Sequence, residues 1–328
     1  MAGIVRHLVT GPAGLAALAI ALVAYPLVFA TPLEQRLGAL VLLYATGASA
    51  WNLVGGYAGL ISVGHAVFFG AGAYAALAAY QYAGLPPIAG LPIGVVASVA
   101  IAAVIGVPTL RLSGHYFSMA TIAVAELVRL VVSNSEWLGG AQGLSGPPVP
   151  RTPFDLSFIS ELPYYYLFLG VLAAVLAATF LMERSRMGFY LRAIRDSERA
   201  ARSLGVAAPR YKLLAFMMSA AFTAVAGALY AVKFQFVDPD SGLGILVSVK
   251  MLIMAALGGA GLLLGPLAGA IILVPLEEVS NNLLGGAGSG LTFVVYGAII
   301  VVVARLQPGG ILRTVLAVLG PRDADRKA

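Results

Sequence analysis

The sequence predicts an all-α, polytopic integral membrane protein with about 8–10 transmembrane helices, each needing roughly 20 apolar residues. Of the 328 residues, 60% are hydrophobic and only 10% are charged, whereas a soluble domain has about 25% charged residues. Apolar runs recur along the whole chain, so we expect one continuous membrane domain over residues 1–328. The 39 glycines fit this class because glycine lets membrane helices approach closely.

The apolar stretches can be assigned to candidate spans in chain order. They cover residues 12–30, 37–54, 58–82, 88–110, 116–133, 162–182, 213–233, 245–275 and 289–305. Segment 245–275 is too long for one ordinary span, and small residues with a proline interrupt its middle. The interrupting residues are Gly258, Gly259, Gly261, Gly265 and Pro266. We expect a helix pair or a broken, re-entrant element there, and a pathway role, because such breaks are tolerated only where they are buried or line a cavity.

The Lys and Arg distribution predicts the orientation. Eight of the 20 cationic residues fall in loop 184–212, and the positive-inside rule places such a loop in the cytoplasm. Loop 134–161, with the single cation Arg151 against three acidic residues, then lies on the extracytoplasmic side. A helix pair at 245–275 returns the basic tail 306–328 to the cytoplasm.

Several kinds of chemistry have no support in the sequence. There are no cysteines and only three histidines, which lack metal-ligand spacing. No glycine-rich phosphate loop ending in Lys-Ser or Lys-Thr occurs. The net charge is +6, but the cationic residues lie in one inter-helix loop and mostly otherwise at the ends of apolar runs, which argues against nucleic acid as a partner. We expect no enzyme activity, no metal and no cofactor on this chain.

Loop 184–212 contains a second signal, a short capped helix. Asp196 or Ser197 can cap it, and Gly205 can end it in the left-handed conformation. Between them Glu198, Ala200, Ala201 and Gly205 follow the order E-x-A-A-x-x-x-G. Small residues on one face would allow docking into a groove of a partner protein, with neighbouring arginines pairing at its rim. The alternative is a solvated basic anchor.

This loop resembles the cytoplasmic EAA-type loop of bacterial ABC-importer permeases. Four further stretches are similar to the branched-chain amino acid permeases, and specifically to the M-type subunit of the leucine/isoleucine/valine system. They are GYAGLISVGHAVFFGAGAY (56–74), GHYFSMATIAVAELVRLVVSN (114–134), GGAQGLSGPP (139–148) and LGGAGLLLGPLAGA (257–270). Together they cover about residues 40–305. The outer loop departs from the family pattern at Gly139-Gly140 and Ala141-Gln142, which leaves the solute open.

The resemblance implies a division of labour. It implies a homologous second permease, two cytoplasmic ATP-binding subunits and an extracytoplasmic solute-binding protein, in a bacterial-type cytoplasmic membrane. Asp196, Glu198, Ala200, Ala201 and Gly205 would couple the chain to the ATPases. The expected solute is a branched-chain or other hydrophobic amino acid. The alternatives are urea, short amides or a sugar in the same architecture, or a self-sufficient channel or secondary transporter.

Ionisable groups inside a membrane are functional candidates because they are costly unless paired or hydrated. Glu126 and Arg129 are three residues apart on one apolar helix, so they can pair. We expect a structural ion pair facing the bundle interior, with direct substrate contact as the alternative. The polar candidates for the pathway, each also able to bond between helices, are His65, Tyr74, Tyr116, Ser118 and Thr121.

Overall fold

The computed structural model describes residues 12–146 and 155–283, with short pieces at 297–298 and 310–312. This part of the chain is almost entirely helical, as predicted. Six of its helices are long and apolar enough to cross a membrane. The described residues contain one two-stranded ribbon. The predicted span 289–305 and most of the tail lie outside the described residues.

The N-terminal half consists of five long helices. They are α1 (Pro12–Val28), α2 (Pro32–Asn52), α3 (Ala66–Ala83), α4 (Pro87–Thr109) and α5 (His115–Ser133). Helix α2 begins in a capping box, in which the Thr31 hydroxyl accepts from the Glu34 N–H and the Glu34 carboxylate accepts from the Thr31 N–H. It continues as a π-helical turn over Leu53–Tyr57. Gly84 ends α3 in the left-handed conformation.

The C-terminal half alternates long and short helices. They are α6 (Glu161–Arg184), α7 (Arg186–Asp196), α8 (Glu198–Ser203), α9 (Ala208–Phe234), α10 (Pro239–Leu243), α11 (Ile245–Gly258) and α12 (Gly265–Leu283). The predicted span 58–82 needs correction, because residues 58–65 are irregular and the helix begins only at Ala66. Within that irregular stretch Gly59 has a φ of +71°, which interrupts helical geometry.

Helices α2, α3 and α9 form the centre of the structure. Glycines let α3 and α9 touch backbone to backbone, since a β-carbon on Gly72 would overlap the carbonyl oxygen of Ala224. In the same way, a β-carbon on Gly227 would overlap the carbonyl oxygen of Phe69. Helix α4 lies at the periphery, where its exposed apolar side chains include Val96 and Val104.

Segment 245–275 is divided into two helices that pack antiparallel, as the glycines and proline predict. A β-carbon on Gly269 would overlap the backbone of Met254, and one on Gly258 would overlap that of Gly265. The connecting turn is held at the end of α2, where the Asn52 amide oxygen accepts from the Gly261 N–H at 2.8 Å. Gly310 lies directly against Gly259 at this turn, so the chain returns to the end where the hairpin turns.

The opposite end is closed by the ribbon. Strand β1 (Leu144–Ser145) pairs antiparallel with β2 (Phe236–Val237). Gly143, with a φ of +77°, has no room for a β-carbon beside the Val237 carbonyl. Because β1 follows α5 and β2 follows α9, the ribbon brings the ends of these two helices together.

Candidate coupling and translocation sites

The predicted short helix is present as α8. Ser197 caps it by accepting from the Ala200 N–H at 3.3 Å, so of the two predicted caps the structure uses Ser197. Asp196 instead ends α7, a separate helix within the predicted loop 184–212. Gly205 follows α8 with a φ of +83°, the left-handed conformation that ends a helix.

Glu198 fixes α8 to the following span. Its carboxylate pairs with Arg202 at 3.0 Å and, more closely, with the Lys212 ammonium in the first turns of α9. The Lys212 side chain is only 6% exposed, so Glu198 is the charge that neutralises a buried cation. Sequence reasoning missed this pair because the partners are 14 residues apart and share no helix.

The two alanines of the motif separate in the structure. Ala201 is buried in a small cluster with Ile194 and Ala208, whereas Ala200 is exposed. Leu204 lies beyond the last turn with 85% of its surface exposed. The exposed face of α8 therefore includes Ala200 and Leu204, and Ala201 packs against its own chain. Leu204 was not among the predicted residues.

Arg195 connects the loop to the membrane helices. It donates from Nη1 to the Gly56 carbonyl at 2.9 Å, in the π-helical turn. Gly261 of the hairpin turn lies next to the same guanidinium. The basic loop, the end of α2 and the turn between α11 and α12 therefore meet at the Arg195 side chain.

His65 lies in the core, fully buried. Its Nδ1 is 3.0 Å from the Ser62 hydroxyl and its Nε2 is 2.8 Å from the Ser219 hydroxyl. Ser219 in turn donates to the Ala50 carbonyl at 2.6 Å. Both imidazole nitrogens therefore have a hydrogen-bond partner, one in the irregular stretch and one in α9. His65 thus links these two segments.

Two more predicted residues hold the irregular stretch in place. Ser118 donates to the Ile61 carbonyl at 2.6 Å, and Thr121 accepts from the Val63 N–H at 3.1 Å. Tyr116, on the same helix, is exposed. Ser118 and Thr121 thus supply the hydrogen bonds that residues 58–65 lack as a helix.

Glu126 and Arg129 form the predicted ion pair. Arg129 donates from Nε and Nη2 to the two Glu126 carboxylate oxygens at 3.0 and 2.5 Å, and from Nη1 to Asp240 at 2.8 Å. The expectation that they face the bundle interior is wrong. Glu126 is 48% exposed and Asp240 84% exposed, because α5 buries its opposite face through Phe117, Thr121 and Ala125. Asp240, 111 residues beyond Arg129, was not predicted.

Tyr74 packs against α5 and α10, the two helices that carry the triad. Its side chain is buried in a cluster with Leu243 and Val237, with Val128 of α5 packed against it. Its hydroxyl has no hydrogen-bond partner among the described residues. Gly242, in the same short helix as Asp240, lies beside the Tyr74 ring.

The residues predicted to interrupt segment 245–275 lie at the turn between α11 and α12. Gly258 ends α11, Gly259 and Gly261 adopt positive φ, and Gly265-Pro266 begins α12.

In the described ranges no group of three or more histidine or acidic side chains could hold a metal ion. What the described residues offer is an anchored loop helix at one end and an exposed ionic triad towards the other.

These features define a polytopic helical membrane protein. The chain belongs to the family described as "Branched-chain amino acid transport system / permease component", whose model matches residues 36–304. The prediction of this family is confirmed.

Three relatives illustrate the range of the similarity. The LivM permease of the high-affinity branched-chain amino acid transport system of Escherichia coli K12 is 31% identical over 296 residues, covering 83% of this chain and 68% of the relative. The autoinducer 2 import permease LsrC of Klebsiella pneumoniae is 30% identical over 174 residues, covering 52% and 48%. The LivH permease of Salmonella typhimurium is 33% identical over 139 residues, covering 42% and 44%. No solved structure matches.

Proposed function

We propose that this chain is the transmembrane permease subunit of an ABC importer for branched-chain or other hydrophobic amino acids. Its partners would be a second homologous permease, two cytoplasmic ATP-binding subunits that hydrolyse ATP, and an extracytoplasmic solute-binding protein. The membrane would be the cytoplasmic membrane of a bacterium. The similarity to both LivM and LivH supports a paired permease, since the two names belong to one transport system.

The observation that carries the proposal is the anchored helix α8. It presents Ala200 and Leu204 outwards, with Arg199 and Arg202 beside them, and it is tied to α9 by the Glu198–Lys212 pair. Exposed apolar side chains flanked by arginines are complementary to an apolar groove with acidic edges on a partner protein. A displacement of α8 would act on α9, the helix at the centre of the fold.

The proposed topology follows the same geometry. Loop 184–212 and tail 306–328 would lie in the cytoplasm, together with the turn between α11 and α12, and loop 134–161 outside. The contacts of Arg195 with Gly56 and of Gly310 with Gly259 support this arrangement, because they bring loop, turn and tail to one end.

Cysteine labelling tests the topology directly, because the natural chain has none. In intact cells, Arg199→Cys should resist a membrane-impermeant maleimide and Glu136→Cys should react with it. Labelling of Arg199→Cys from outside would overturn the importer proposal.

A transport measurement tests the partners and the solute. The chain should copurify with ATP-binding subunits, and the reconstituted complex with its binding protein should import labelled leucine, isoleucine or valine only with ATP. Uptake by the purified chain alone would favour a self-sufficient transporter. ATP-dependent uptake of urea, an amide or a sugar but not of an amino acid would keep the architecture and replace the solute.

A further inference from the structure

We propose that Glu126, Arg129 and Asp240 form a transient subsite for the charged groups of an α-amino acid zwitterion, on the water-filled side of the permease. The inference rests on the proposed function and names the part of the pathway that the solute would touch. It starts from an ionic triad that is exposed along an otherwise apolar helix.

The depth of the triad requires an explanation. Glu126 is seven residues from the end of α5, which is about 10 Å along the helix axis. In the proposed topology this position lies in the outer half of the membrane. A carboxylate that is half exposed there is unfavourable against lipid by several kcal/mol, so such groups face protein or water. The exposed face of α4 at Val96 has no such group and suits lipid.

Both the guanidinium and the carboxylates of the triad can form further hydrogen bonds. Arg129 has five N–H donors, and three of them are used by Glu126 and Asp240. The remaining two can serve a substrate carboxylate. Asp240 uses one oxygen for Arg129 and is 84% exposed, so its other oxygen can accept from a substrate ammonium. Two carboxylates and one guanidinium leave a net charge of −1, which favours the ammonium end.

The buried hydroxyl of Tyr74 is a second, independent observation. An unpartnered hydroxyl in an apolar cluster is unfavourable, and native structures leave few of them. The Tyr74 ring lies beside Gly242, in the same short helix as Asp240. A polar group of a bound solute would give this hydroxyl the partner that it lacks among the described residues.

Apolar side chains adjoin the charged groups. Ile122 and Leu130 lie one turn before and one turn after Glu126 on the same side of α5, and Leu130 is 48% exposed. A solute with an ammonium, a carboxylate and an aliphatic side chain would meet the triad at one end and these side chains along its length. Small-molecule sites are typically built this way, mostly apolar with a few convergent polar groups.

Uptake by the complete complex tests the charges. Asp240→Asn should raise the KM for leucine uptake about tenfold or more, the effect of losing one charge-assisted hydrogen bond, and Asp240→Glu should recover most of it. Asp240 is mostly exposed, and its loss leaves Arg129 paired with Glu126, so the variant should fold. Glu136→Gln, which removes an exposed acidic group just beyond the same helix, is the matched control and should behave as wild type.

Water accessibility tests the location. In the cysteine-free chain, Ile122→Cys, on the face of α5 that carries the triad, should react with a charged thiosulfonate reagent, and leucine-loaded binding protein should slow the reaction. Val96→Cys, at similar depth on α4, should not react.

The outcomes separate the two levels of the proposal. If the wild-type complex imports leucine while Asp240→Asn transports with an unchanged KM, or Ile122→Cys is never labelled, only the subsite is wrong. If the wild-type complex imports no amino acid, the proposed function fails and the subsite with it.

Discussion

The Arg195 guanidinium donates to the Gly56 carbonyl at 2.9 Å, which joins α7 of the basic loop to the π-helical end of α2. π-Helical turns inside longer helices occur frequently at functional sites. This turn has an unusual neighbour, because the hairpin turn at Gly261 contacts the same side chain. Arg195 thus connects the basic loop with two membrane elements, with α2 by a hydrogen bond and with the hairpin turn by contact.

Replacement of Arg195 by alanine should weaken coupling more than folding. The side chain is one-third exposed, so we expect a loss of stability of about 1 kcal/mol or less. Uptake per ATP hydrolysed should fall several-fold, since coupling residues typically modulate by about 0.5–2 kcal/mol. The measurement is the ratio of transport to ATPase rate in proteoliposomes. The control is Arg186→Ala, which removes an exposed arginine at the start of the same helix. An unchanged ratio would remove Arg195 from the coupling route.

The Glu198–Lys212 pair predicts a large stability effect. Glu198→Gln leaves Lys212 buried without its counter-charge, and breaking such a pair is destabilising by about 3 kcal/mol. The exchange Glu198→Lys with Lys212→Glu should restore part of the loss. Thermal unfolding in detergent measures both variants. Asp196→Asn removes an exposed pair with Arg195 at 3.6 Å and should change stability by less than about 0.5 kcal/mol. Equal effects of Glu198→Gln and Asp196→Asn would contradict the anchoring role.

Replacement of glycine by alanine should have different effects at two kinds of position. Gly205 has open space around a β-carbon but a φ of +83°, so Gly205→Ala should be destabilising by about 1 kcal/mol, and Gly205→Asn by less. Gly72 has an ordinary φ but no space, so Gly72→Ala should separate α3 from α9 and reduce the amount of folded protein. Comparable yields of Gly72→Ala and wild type in membranes would show that this contact is looser than the structure has it.

The buried histidine should matter for assembly of the fold. His65→Ala removes the partner of Ser62 and opens a cavity, so we expect a loss of about 2–4 kcal/mol. Tyr116→Phe alters an exposed hydroxyl on α5 and should be close to neutral. Unfolding midpoints of the purified variants check both. A His65→Ala protein as stable as wild type, but inactive in uptake, would return His65 to the pathway.

Local signals account for much of what the sequence predicted. The break between Gly258 and Gly265 was predictable because glycine and proline disrupt helices wherever they cluster in this way. The cap and end of α8 follow from Ser197 and Gly205 by the same local rules. Helix α7 was missed because its arginines read as a solvated loop, although Leu191 and Ile194 of that helix are buried.

Long-range partners were beyond sequence reasoning. The spacing of Glu126 and Arg129 predicts that they share a face of α5, but not which way that face points. The third member, Asp240, comes from another part of the chain and has no periodic relation to α5. Lys212 likewise pairs with Glu198 because the turn between α8 and α9 brings the two side chains together. Such pairs depend on how helices are placed, which a pattern of apolar residues does not encode.

The close crossing of α3 and α9 restricts how this permease can change shape. At Gly72 and Gly227 the two main chains meet with no side chain between them, so neither helix can slide or rotate past the other without steric overlap. The two helices therefore form one rigid pair, and any bending of the backbone that moves them relative to the rest of the chain must occur outside their crossing.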